Sequence, residues 1–399
     1  MTPLTLAEAR TRIDALDEQI QRLISQRARI AQQVARIKQA QGDTGDHYRP
    51  SREVEVLRRA IERNQGPDGG PLTDEVIARL MREIMSACLS LESPLTVAYL
   101  GPEGTYTQSA ALKHFGDAVT ARPLAAVDEI FRDVESGAAD YGVVPVENSI
   151  GGVVTHTLDA LVHTKLRICG EVMLPVHHHL LSRETSLTAV QTIYAHAQSF
   201  AQTRKWLDSR MPKVDREVVA SNGEAARLAA EKGSRVHGDC PQDSGCGTRD
   251  STAEGGIPDE GRAGGGGAAA IAGLPAARLY GLNILASNIE DDPGNTTRFL
   301  IIGKQDPTVT GSDLTSLVVT AHRNQPGALF SLLAPLADAQ IDLSRIESRP
   351  VRGSPVPDYY FFMDLGGHVT DAPIRTALER VRANSAFFKI LGSYPRAVT

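Results

Sequence analysis

The chain has 399 residues and a formal net charge of −6, with a pI near 6.0. This charge balance excludes a general basic surface for nucleic acid or anionic membranes, and the length predicts about two to four domains. No apolar segment of signal-peptide length opens the chain and no run of about 18 apolar residues occurs, so we expect a cytoplasmic protein without a membrane partner. The four cysteines are too scattered for a disulfide framework.

The first 94 residues carry helical patterns. Apolar side chains recur at helical spacing from residue 5 to about residue 40 without an internal Gly or Pro, which predicts one long helix. A second helix follows Pro50, and Leu72–Glu75 begins a third that runs to about Leu91. Three helices, one of them very long, cannot bury their apolar faces within one chain. We therefore expect residues 1–94 to form an intertwined helical homodimer.

From residue 95 to about residue 304 the pattern is that of an α/β body. Leu95–Leu100 predicts a strand, Gly101–Thr105 a loop and Gln108–His114 a helix, and such units recur along the segment. Ligands of such bodies bind where loops leave the strand ends.

One segment of this body differs from the rest. Ser234–Gly267 is rich in Gly, Asp, Arg and Ser with little apolar content, so it predicts a flexible excursion. Its His237, Cys240 and Cys246 lack a fourth partner for a zinc site. The string His177–His179 is not expected to bind a metal either, because neighbouring side chains on a strand point to opposite faces.

After a linker from Lys304 to Asp313, residues 313–399 predict a small α+β module of the ferredoxin-like type. Its elements are a strand, a helix, two strands and a helix, at Leu314–Thr320, Pro326–Ala339, Ile341–Glu347, Tyr359–Leu365 and Pro373–Arg382. Such modules often sense ligands.

Cations interrupt the apolar stripe of the first helix. Arg27 and Lys38 are eleven residues apart and return to within about 20° of each other, so they face the same interior. Arg10 is rotated by roughly 100° and points toward a partner chain if the helix pairs with its symmetry mate. Arg52 and Glu53 of the second helix add to this polar set. The open alternative is a group of snorkelling surface side chains.

With this helix layout and these cations, the first 94 residues resemble the all-helical, type II chorismate mutase family. The resemblance implies that Arg10 reaches into the other subunit's site and that three cations bind the carboxylates and ether oxygen of chorismate: Arg27, Lys38 and Arg52. It also implies that Glu53 binds the ring hydroxyl. Cys88 and Glu92 stand where the family commonly has serine and glutamine, and a glutamate there donates only when protonated.

Three strings of the central body belong together. Asn295–Phe299 follows a turn and precedes an apolar run, and Gly101–Thr107 and Pro145–Gly151 lie upstream. Thr297 beside Arg298 at a strand mouth suits a small anionic substrate, whereas the alternative is an edge strand with solvated polar residues. Together the strings resemble the prephenate dehydratase family.

That resemblance implies roles for individual residues and requires no cofactor. Thr297 is the expected proton-donating or polarising residue and Arg298 the expected carboxylate binder. The remaining substrate contacts implied are Asn148, Ser149 and Gln202. Thr105, at the head of a helix, is a further candidate that would bind a carboxylate through backbone N–H groups, and the alternative is a purely structural Gly-rich turn. Glu147 is expected to orient its neighbours.

The C-terminal module resembles the ACT domain family through Gly327–Phe330 and Glu347–Pro350. The resemblance implies a phenylalanine site between paired modules, with the effector-binding residues Gly327, Ala328, Leu329, Glu347, Ser348, Arg349 and Pro350. Gly327 also suits a purely structural role as a helix N-terminal glycine.

The sequence thus predicts a multidomain homodimer that joins a chorismate mutase domain (1–94), a two-lobed prephenate dehydratase domain (95–304) and an ACT domain (313–399). Its substrates would be chorismate and prephenate and its effector phenylalanine. Two rivals stay open. One is a two-lobed protein that senses aromatic acids without turnover, and the other is a mutase whose dehydratase is disabled by the excursion.

Overall fold

A computed structural model of the protein describes residues 4–42, 48–67, 69–232, 267–322, 325–351 and 358–398. Its helices are α1 (Leu6–Ala40), α2 (Pro50–Gln65), α3 (Asp74–Ser90), α4 (Tyr106–Phe115), α5 (Val127–Ser136), α6 (Thr155–His163), α7 (Ala197–Gln202), α8 (Arg204–Arg210), α9 (Asn222–Lys232), α10 (Leu274–Tyr280), α11 (Ala328–Asp338) and α12 (Ala372–Ala383). The excursion from Ser234 to Gly266, with His237, Cys240 and Cys246, lies outside the described residues.

The strands are β1 (Thr96–Leu100), β2 (Thr120–Leu124), β3 (Tyr141–Asn148), β4 (Gly152–Val153), β5 (Arg167–Pro175), β6 (His179–Ser182), β7 (Val190–Ala195), β8 (Asp215–Val218), β9 (Gly267–Ala272), β10 (Asn283–Ala286), β11 (Thr296–Gly303), β12 (Asp313–Ala321), β13 (Leu343–Pro350), β14 (Tyr359–Gly366) and β15 (Ser385–Pro395).

The chain divides into two compact units. The first contains the residues up to Gly101, Tyr106–Pro175 and the residues from Thr296 onward, and the second contains Pro102–Thr105 and Val176–Asn295. The first unit therefore holds the N-terminal helices, one lobe of the α/β body and the C-terminal module. The predicted domain limits at residues 94 and 304 do not separate compact units, because helices and module both pack on this lobe.

Helix α1 begins at a capping box. The backbone N–H of Thr5 donates to Glu8 Oε2 at 2.9 Å, and the Glu8 N–H donates to Thr5 Oγ1 at 3.3 Å, which satisfies two of the free donors at the helix start. The apolar stripe of the helix is exposed in this single chain: Ile13, Leu16, Ile20, Leu23, Ile24, Ile30, Val34 and Ile37. The predicted long helix is confirmed, and its apolar face is not covered by α2 or α3.

The sheet of the first lobe has the strand order β2-β1-β3-β11-β5, with β4 paired to β3. Strand β1 is parallel to β2 and β3, whereas β11 is antiparallel to both of its neighbours. The pairing of β3 with β11 shifts between Arg298 and Phe299, so Val146 is an extra residue on β3. Such a bulge bends a strand and re-aims the side chains beside it. It lies next to Glu147 and Asn148.

The C-terminal module is an antiparallel sheet of order β13-β14-β12-β15. Its final strand, β15, was absent from the sequence prediction, which ended at a helix. The reason is that β15 is covered on both sides. Leu391 and Tyr394 pack in one core cluster with the first lobe, while Phe388 and Ile390 pack against the module's own core. A strand covered on both faces loses the alternating pattern that identifies strands in a sequence.

The second unit contains the sheet β10-β6-β9-β7-β8. The alanines of α9 pack on the alanines of β9, and residues this small let helix and sheet approach closely. Gly267, placed in the excursion by its composition, begins β9, so that boundary was wrong. A Cβ at Gly267 would lie 2.4 Å from the carbonyl oxygen of Ala189, which explains the glycine. Among the described residues, no helix has both the length and the apolar content to cross a membrane.

Candidate active sites and the C-terminal module

Asn148 and Thr297 form a hydrogen-bonded pair in the first lobe. They lie opposite each other on β3 and β11, and Asn148 Nδ2 donates to Thr297 Oγ1 at 2.9 Å. The amide orientation is fixed because Asn148 Oδ1 accepts from the backbone N–H groups of Ile150 and Gly151, at 3.2 and 2.7 Å. The threonine hydroxyl accepts in this contact, so its own proton is left to donate to a substrate oxygen.

Ser149 fixes the turn after β3 to the start of β11. Its backbone N–H donates to the carbonyl of Thr296 at 2.9 Å, and its Oγ accepts from the Thr296 N–H at 3.0 Å. The structure therefore brings Asn148, Ser149 and Thr297 together, as the sequence suggested. Paired strands hold Asn148 and Thr297, so the position of the threonine hydroxyl is fixed by the strand backbone.

Arg298 is placed differently from the prediction. Its Nε donates to Glu171 Oε2 at 2.9 Å, and Nη1 donates to Asp364 Oδ2 at 2.5 Å. Burial by itself would lower the pKa of this guanidinium, but Tyr394 and the carboxylates of Asp364 and Glu171 raise it overall. Two carboxylates of the chain already neutralise Arg298. This argues against a direct contact with a substrate carboxylate, which would have to displace them.

Gln202 is the centre of a polar cluster in the second unit. Its Oε1 accepts from His178 Nε2 at 2.8 Å and from Asn295 Nδ2 at 3.2 Å. Within the described residues, the buried Gln202 Nε2 has no hydrogen-bond partner, so it can donate to a ligand. Burial lowers the pKa of His178, and the neutral ring donates from Nε2. The sequence named Gln202 but missed this role of His178.

Two further predicted dehydratase residues, Thr105 and Glu147, lie next to the end of a helix or strand. Thr105 directly precedes α4, the position from which helix N–H groups point at an anion. Glu147, expected to orient its neighbours, accepts a hydrogen bond from Arg345 Nε at 2.7 Å. That partner belongs to the C-terminal module and was not foreseen.

The predicted mutase residues of α1 do not converge in one chain. Arg27 Nη1 lies 3.5 Å from the carbonyl oxygen of Ile84 on α3, and Lys38 is half-buried in the last turn of α1. Arg10 is exposed in this single chain. Arg27 and Lys38 are therefore partly covered within the chain, whereas Arg10 lies on an exposed part of α1.

On α2 the neighbouring Arg52 and Glu53 point apart. Arg52 is exposed and donates to Glu55 Oε2 at 2.5 Å. The Glu53 side chain is 12% exposed and accepts from Arg82 Nε at 3.3 Å. Burial raises the pKa of the Glu53 carboxyl, although Arg82 and a hydrogen bond from Tyr48 act in the opposite direction. In this single chain Glu53 is thus occupied within the N-terminal helices and not aligned with Arg52.

Tyr48 connects this polar group to the first lobe. Its hydroxyl lies 3.0 Å from His114 Nε2, at the end of α4. Burial, together with the charge of Arg82, lowers the pKa of His114 to about 3. The histidine is therefore neutral at ordinary pH, and its contact with Tyr48 is a neutral hydrogen bond.

The last two predicted mutase residues are on and after α3. Cys88 is a buried free thiol within the helix. The helix ends at Ser90, and the Glu92 N–H donates to the Leu89 carbonyl at 2.8 Å, in a tightened final turn. Glu92 therefore lies just outside the regular α-helix that carries Cys88.

A cavity of about 310 Å³ in the C-terminal module is lined by Gly327, Ala328 and Leu329, with Tyr359 and other residues. Gly327 has φ +83° at the N-cap of α11, a left-handed conformation that favours glycine. Both interpretations of this glycine are therefore compatible with its position. Pro335 lies within α11 without ending the helix.

The second predicted effector string does not line this cavity. Glu347, Ser348, Arg349 and Pro350 form the end of β13, with alternate residues half-buried and exposed. Arg349 Nη2 donates to Asp159 Oδ1 on α6 at 3.3 Å. This residue therefore joins the module to the first lobe in the single chain. Ser348 and Pro350 alternate with Glu347 and Arg349 along the strand and are exposed.

Comparison with known proteins agrees with this organisation. The type II chorismate mutase family matches residues 9–93, the prephenate dehydratase family residues 97–307 and the ACT domain family residues 315–383. These matches define a fused enzyme of aromatic amino acid biosynthesis that carries an ACT domain. A protein of Stutzerimonas stutzeri described as a bifunctional chorismate mutase/prephenate dehydratase is 50% identical over 398 residues, which is 98% of each chain. The chain belongs to the family of bifunctional chorismate mutase/prephenate dehydratases.

Two of the solved structures that resemble this chain cover about three quarters of it. A prephenate dehydratase from Arthrobacter aurescens in complex with L-Phe has a TM-score of 0.62 and 33% identity, over 76% of this chain and 90% of that one. GqqA, described as a quorum quenching acylase, has a TM-score of 0.62 and 28% identity, over 76% and 98%. Because similar folds carry different chemistry, the residues of the sites must decide the reaction.

Proposed function

We propose that this chain converts chorismate to prephenate with its N-terminal helices and prephenate to phenylpyruvate with its α/β body, under inhibition by phenylalanine. The proposal is supported by the three family matches in this order and by full-length relatives. The observation that carries the second reaction is the hydrogen bond from Asn148 Nδ2 to Thr297 Oγ1.

In the dehydratase step, prephenate loses one carboxylate as CO₂ and its ring hydroxyl as water, and the ring becomes aromatic. The protein must supply a proton to the departing hydroxyl. Thr297 is proposed to donate it, because Asn148 engages the hydroxyl as an acceptor and orients its proton outward. Gln202 is proposed to bind a substrate oxygen through its buried Nε2, which lacks a partner among the described residues. Thr105 and Ser149 are proposed as further contacts.

The mutase step is a unimolecular rearrangement and needs no nucleophile. The protein has to hold the reactive conformer and place cations beside the ether oxygen, where negative charge develops. Arg27, Lys38 and Arg52 are proposed for this role, with Glu53, Cys88 and Glu92 as further contacts. In chains of this kind the remaining cation, Arg10, would come from a second subunit.

A homodimer through α1 is proposed for the same reason. The apolar stripe of α1 is exposed along most of its length in a single chain, and an unpartnered stripe of this extent is rarely left in water. A second copy would cover it with an identical stripe about a two-fold axis. The proposed location of this dimer is the cytoplasm.

Phenylalanine is proposed to bind at the module cavity near Gly327, Ala328 and Leu329. Glu347 and Ser348, with Arg349 and Pro350, would contribute from a paired module. Inhibition of this type is a coupling free energy between two sites and must be reciprocal in binding.

The test supplies chorismate and prephenate separately to the purified full-length protein. Phenylpyruvate from both substrates, suppressed by phenylalanine, supports the proposal. Consumption of chorismate with accumulation of prephenate would instead support a mutase with a disabled dehydratase. Binding of aromatic acids without turnover of either substrate would support a sensor.

A further inference from the structure

The reverse face of the Asn148–Thr297 pair carries a second pair of residues. In the register of β3 and β11, Glu147 lies opposite Arg298 just as Asn148 lies opposite Thr297. Neighbouring residues on a strand point to opposite faces of the sheet. Glu147 and Arg298 therefore project from the face opposite to the proposed catalytic hydroxyl.

Side chains of the C-terminal module hold this reverse face. Arg345 Nε on β13 donates to Glu147 Oε2 at 2.7 Å. Asp364 Oδ2 on β14 accepts from Arg298 Nη1 at 2.5 Å, and Tyr394 Oη on β15 lies 3.0 Å from Arg298 Nη2. Three strands of the module thus contact the two residues that flank the proposed catalytic pair.

These contacts are buried and interlocked. The side chains of Arg298 and Asp364 are 12% and 7% exposed. Ser316 Oγ on β12 donates to the second oxygen of Asp364 at 2.5 Å, and it lies 2.7 Å from the Tyr394 hydroxyl. Charge-assisted hydrogen bonds in such surroundings are short and directional. A shift of the module's strands must therefore move Glu147 and Arg298 or break these bonds.

The same strands lead to the proposed effector site. Tyr359, the first residue of β14, lines the module cavity together with Gly327, and Asp364 lies five residues further along that strand. Glu347 is two residues from Arg345 on β13. An effector that moves either strand end acts on an element that also holds the reverse face of the catalytic pair.

We propose that Glu147 and Arg298 are positioning residues through which the C-terminal module sets the geometry of the Asn148–Thr297 hydrogen bond. The effector then acts on the Thr297 hydroxyl through Arg345 and Asp364. The inference rests on the proposed function, since it needs a dehydratase that uses Thr297. Arg298 can act as a positioning residue while it stays paired with Glu171 and Asp364.

The test is a double-mutant cycle of Glu147→Gln and Arg345→Gln, with Asp159→Asn as the matched control. The control removes the carboxylate partner of another arginine of β13, because Arg349 Nη2 donates to Asp159 at 3.3 Å. Each change replaces a carboxylate or guanidinium by an amide. The control pair joins β13 to α6, whereas the tested pair joins β13 to the strand that carries Asn148. Melting temperatures of all variants report any general loss of packing.

For Glu147→Gln and Arg345→Gln we expect kcat on prephenate to fall about tenfold, within the range for residues coupled by contact, with KM little changed. The double variant should fall no further than either single variant. Phenylalanine should inhibit all three less than wild type, and mutase activity should stay the same. Tyr394→Phe, which removes one hydrogen bond from Arg298, should weaken phenylalanine inhibition in the same direction.

Several results would overturn the inference. If the wild type forms phenylpyruvate but both single variants match the wild type in phenylalanine response and match Asp159→Asn in kcat, the module does not position Thr297. Additive losses in the double variant would show that the two residues act separately, against the inference. A wild type that forms no phenylpyruvate from prephenate overturns the proposed function, and this inference with it.

Discussion

The α/β body and the N-terminal helices differ in how far one chain completes its own site. In the body, Asn148 is hydrogen-bonded to Thr297 across two paired strands, and Ser149 is hydrogen-bonded to Thr296 beside them, without a second chain. In the helices, Arg10 and Arg52 are exposed, and the apolar stripe of α1 is uncovered. Strand pairing fixes residues that are far apart in sequence, whereas a long helix only arranges its residues along a line. The proposed helical site therefore needs residues from a second chain, whereas the residues proposed for the dehydratase are joined within one chain.

The largest expected effect separates the two activities. Thr297→Ala should lower phenylpyruvate formation from prephenate by about 10²- to 10⁴-fold, the usual contribution of a positioned proton donor. Chorismate consumption should be unchanged, because the helices fold from a different part of the chain. Both rates are followed by absorbance in the same preparation. Thr297→Ser, which keeps the hydroxyl, is the control and should retain much more activity. Equal loss of both activities in Thr297→Ala would contradict the assignment.

The second prediction tests whether the helical site is shared between chains. Arg10→Ala and Arg27→Ala should each abolish most mutase activity. If Arg10 serves the other subunit's site and Arg27 its own, a mixed dimer has one intact site. Co-expressed variants should then recover about a quarter of the wild-type rate, since half of the dimers are mixed and each has one good site of two.

Recovery must be absent when the two substitutions are placed in the same chain, which is the control. If co-expression restores no mutase activity beyond that of the single variants, Arg10 and Arg27 act in the same chain's site. The helical site would then not be shared between two chains.

Much of this architecture could be predicted from the sequence. The helical period of α1 and the strings around Asn148 and Thr297 correctly located their elements, because both signals are local. The partners of Arg298 could not be predicted. Glu171 and Asp364 are 127 and 66 residues away in sequence, and no local pattern links them to it. For the same reason the predicted linker after Lys304 gave no sign that Asp364 and Tyr394 of the module hold Arg298.

The third prediction concerns pH and the junction at His114. In the unfolded chain a histidine binds a proton below about pH 6.5, but burial lowers the pKa of folded His114 to about 3. The unfolded state thus binds more protons between these values, so stability is fully present above about pH 6.5 and falls with falling pH. The slope from this one group is about 1.4 kcal/mol per pH unit.

His114→Gln removes the titration and should reduce the slope of unfolding free energy between pH 6 and pH 4 by about that amount, as measured by urea denaturation. Burial raises the pKa of Glu53, so this residue contributes a pH slope of the opposite sign to the unfolding free energy. Glu53 is present in both the wild type and His114→Gln, so the difference between their slopes reports His114. Tyr48→Phe is the control. It removes the hydrogen bond at 3.0 Å but keeps the histidine covered, so the contribution of His114 to the slope should persist, and the change from wild type should be limited to that of Glu53, which loses its hydrogen bond from Tyr48. Equal slopes for wild type and His114→Gln would show that His114 titrates normally in the folded protein.

The smallest expected effect comes from shortening the segment between α9 and β9. Helix α9 ends at Lys232 and β9 begins at Gly267, so both ends of the connection are held by packed elements of one unit. Gly267 itself must stay, since a Cβ there would lie 2.4 Å from the Ala189 carbonyl oxygen. Deleting Val236–Arg262 leaves a short glycine-containing connection, of the length usual between a helix and a strand.

Loop closure depends only weakly on length, so this deletion should stabilise the protein by roughly 1.4 kcal/mol at most. Both activities should match the wild type, because the removed residues have almost no apolar content with which to form a core. The measurements are a denaturation midpoint and the two rates. A protein that becomes insoluble, or that loses phenylpyruvate formation while keeping its mutase activity, would show that the segment shapes the dehydratase. The body would then no longer be the region whose site is completed by strand pairing alone.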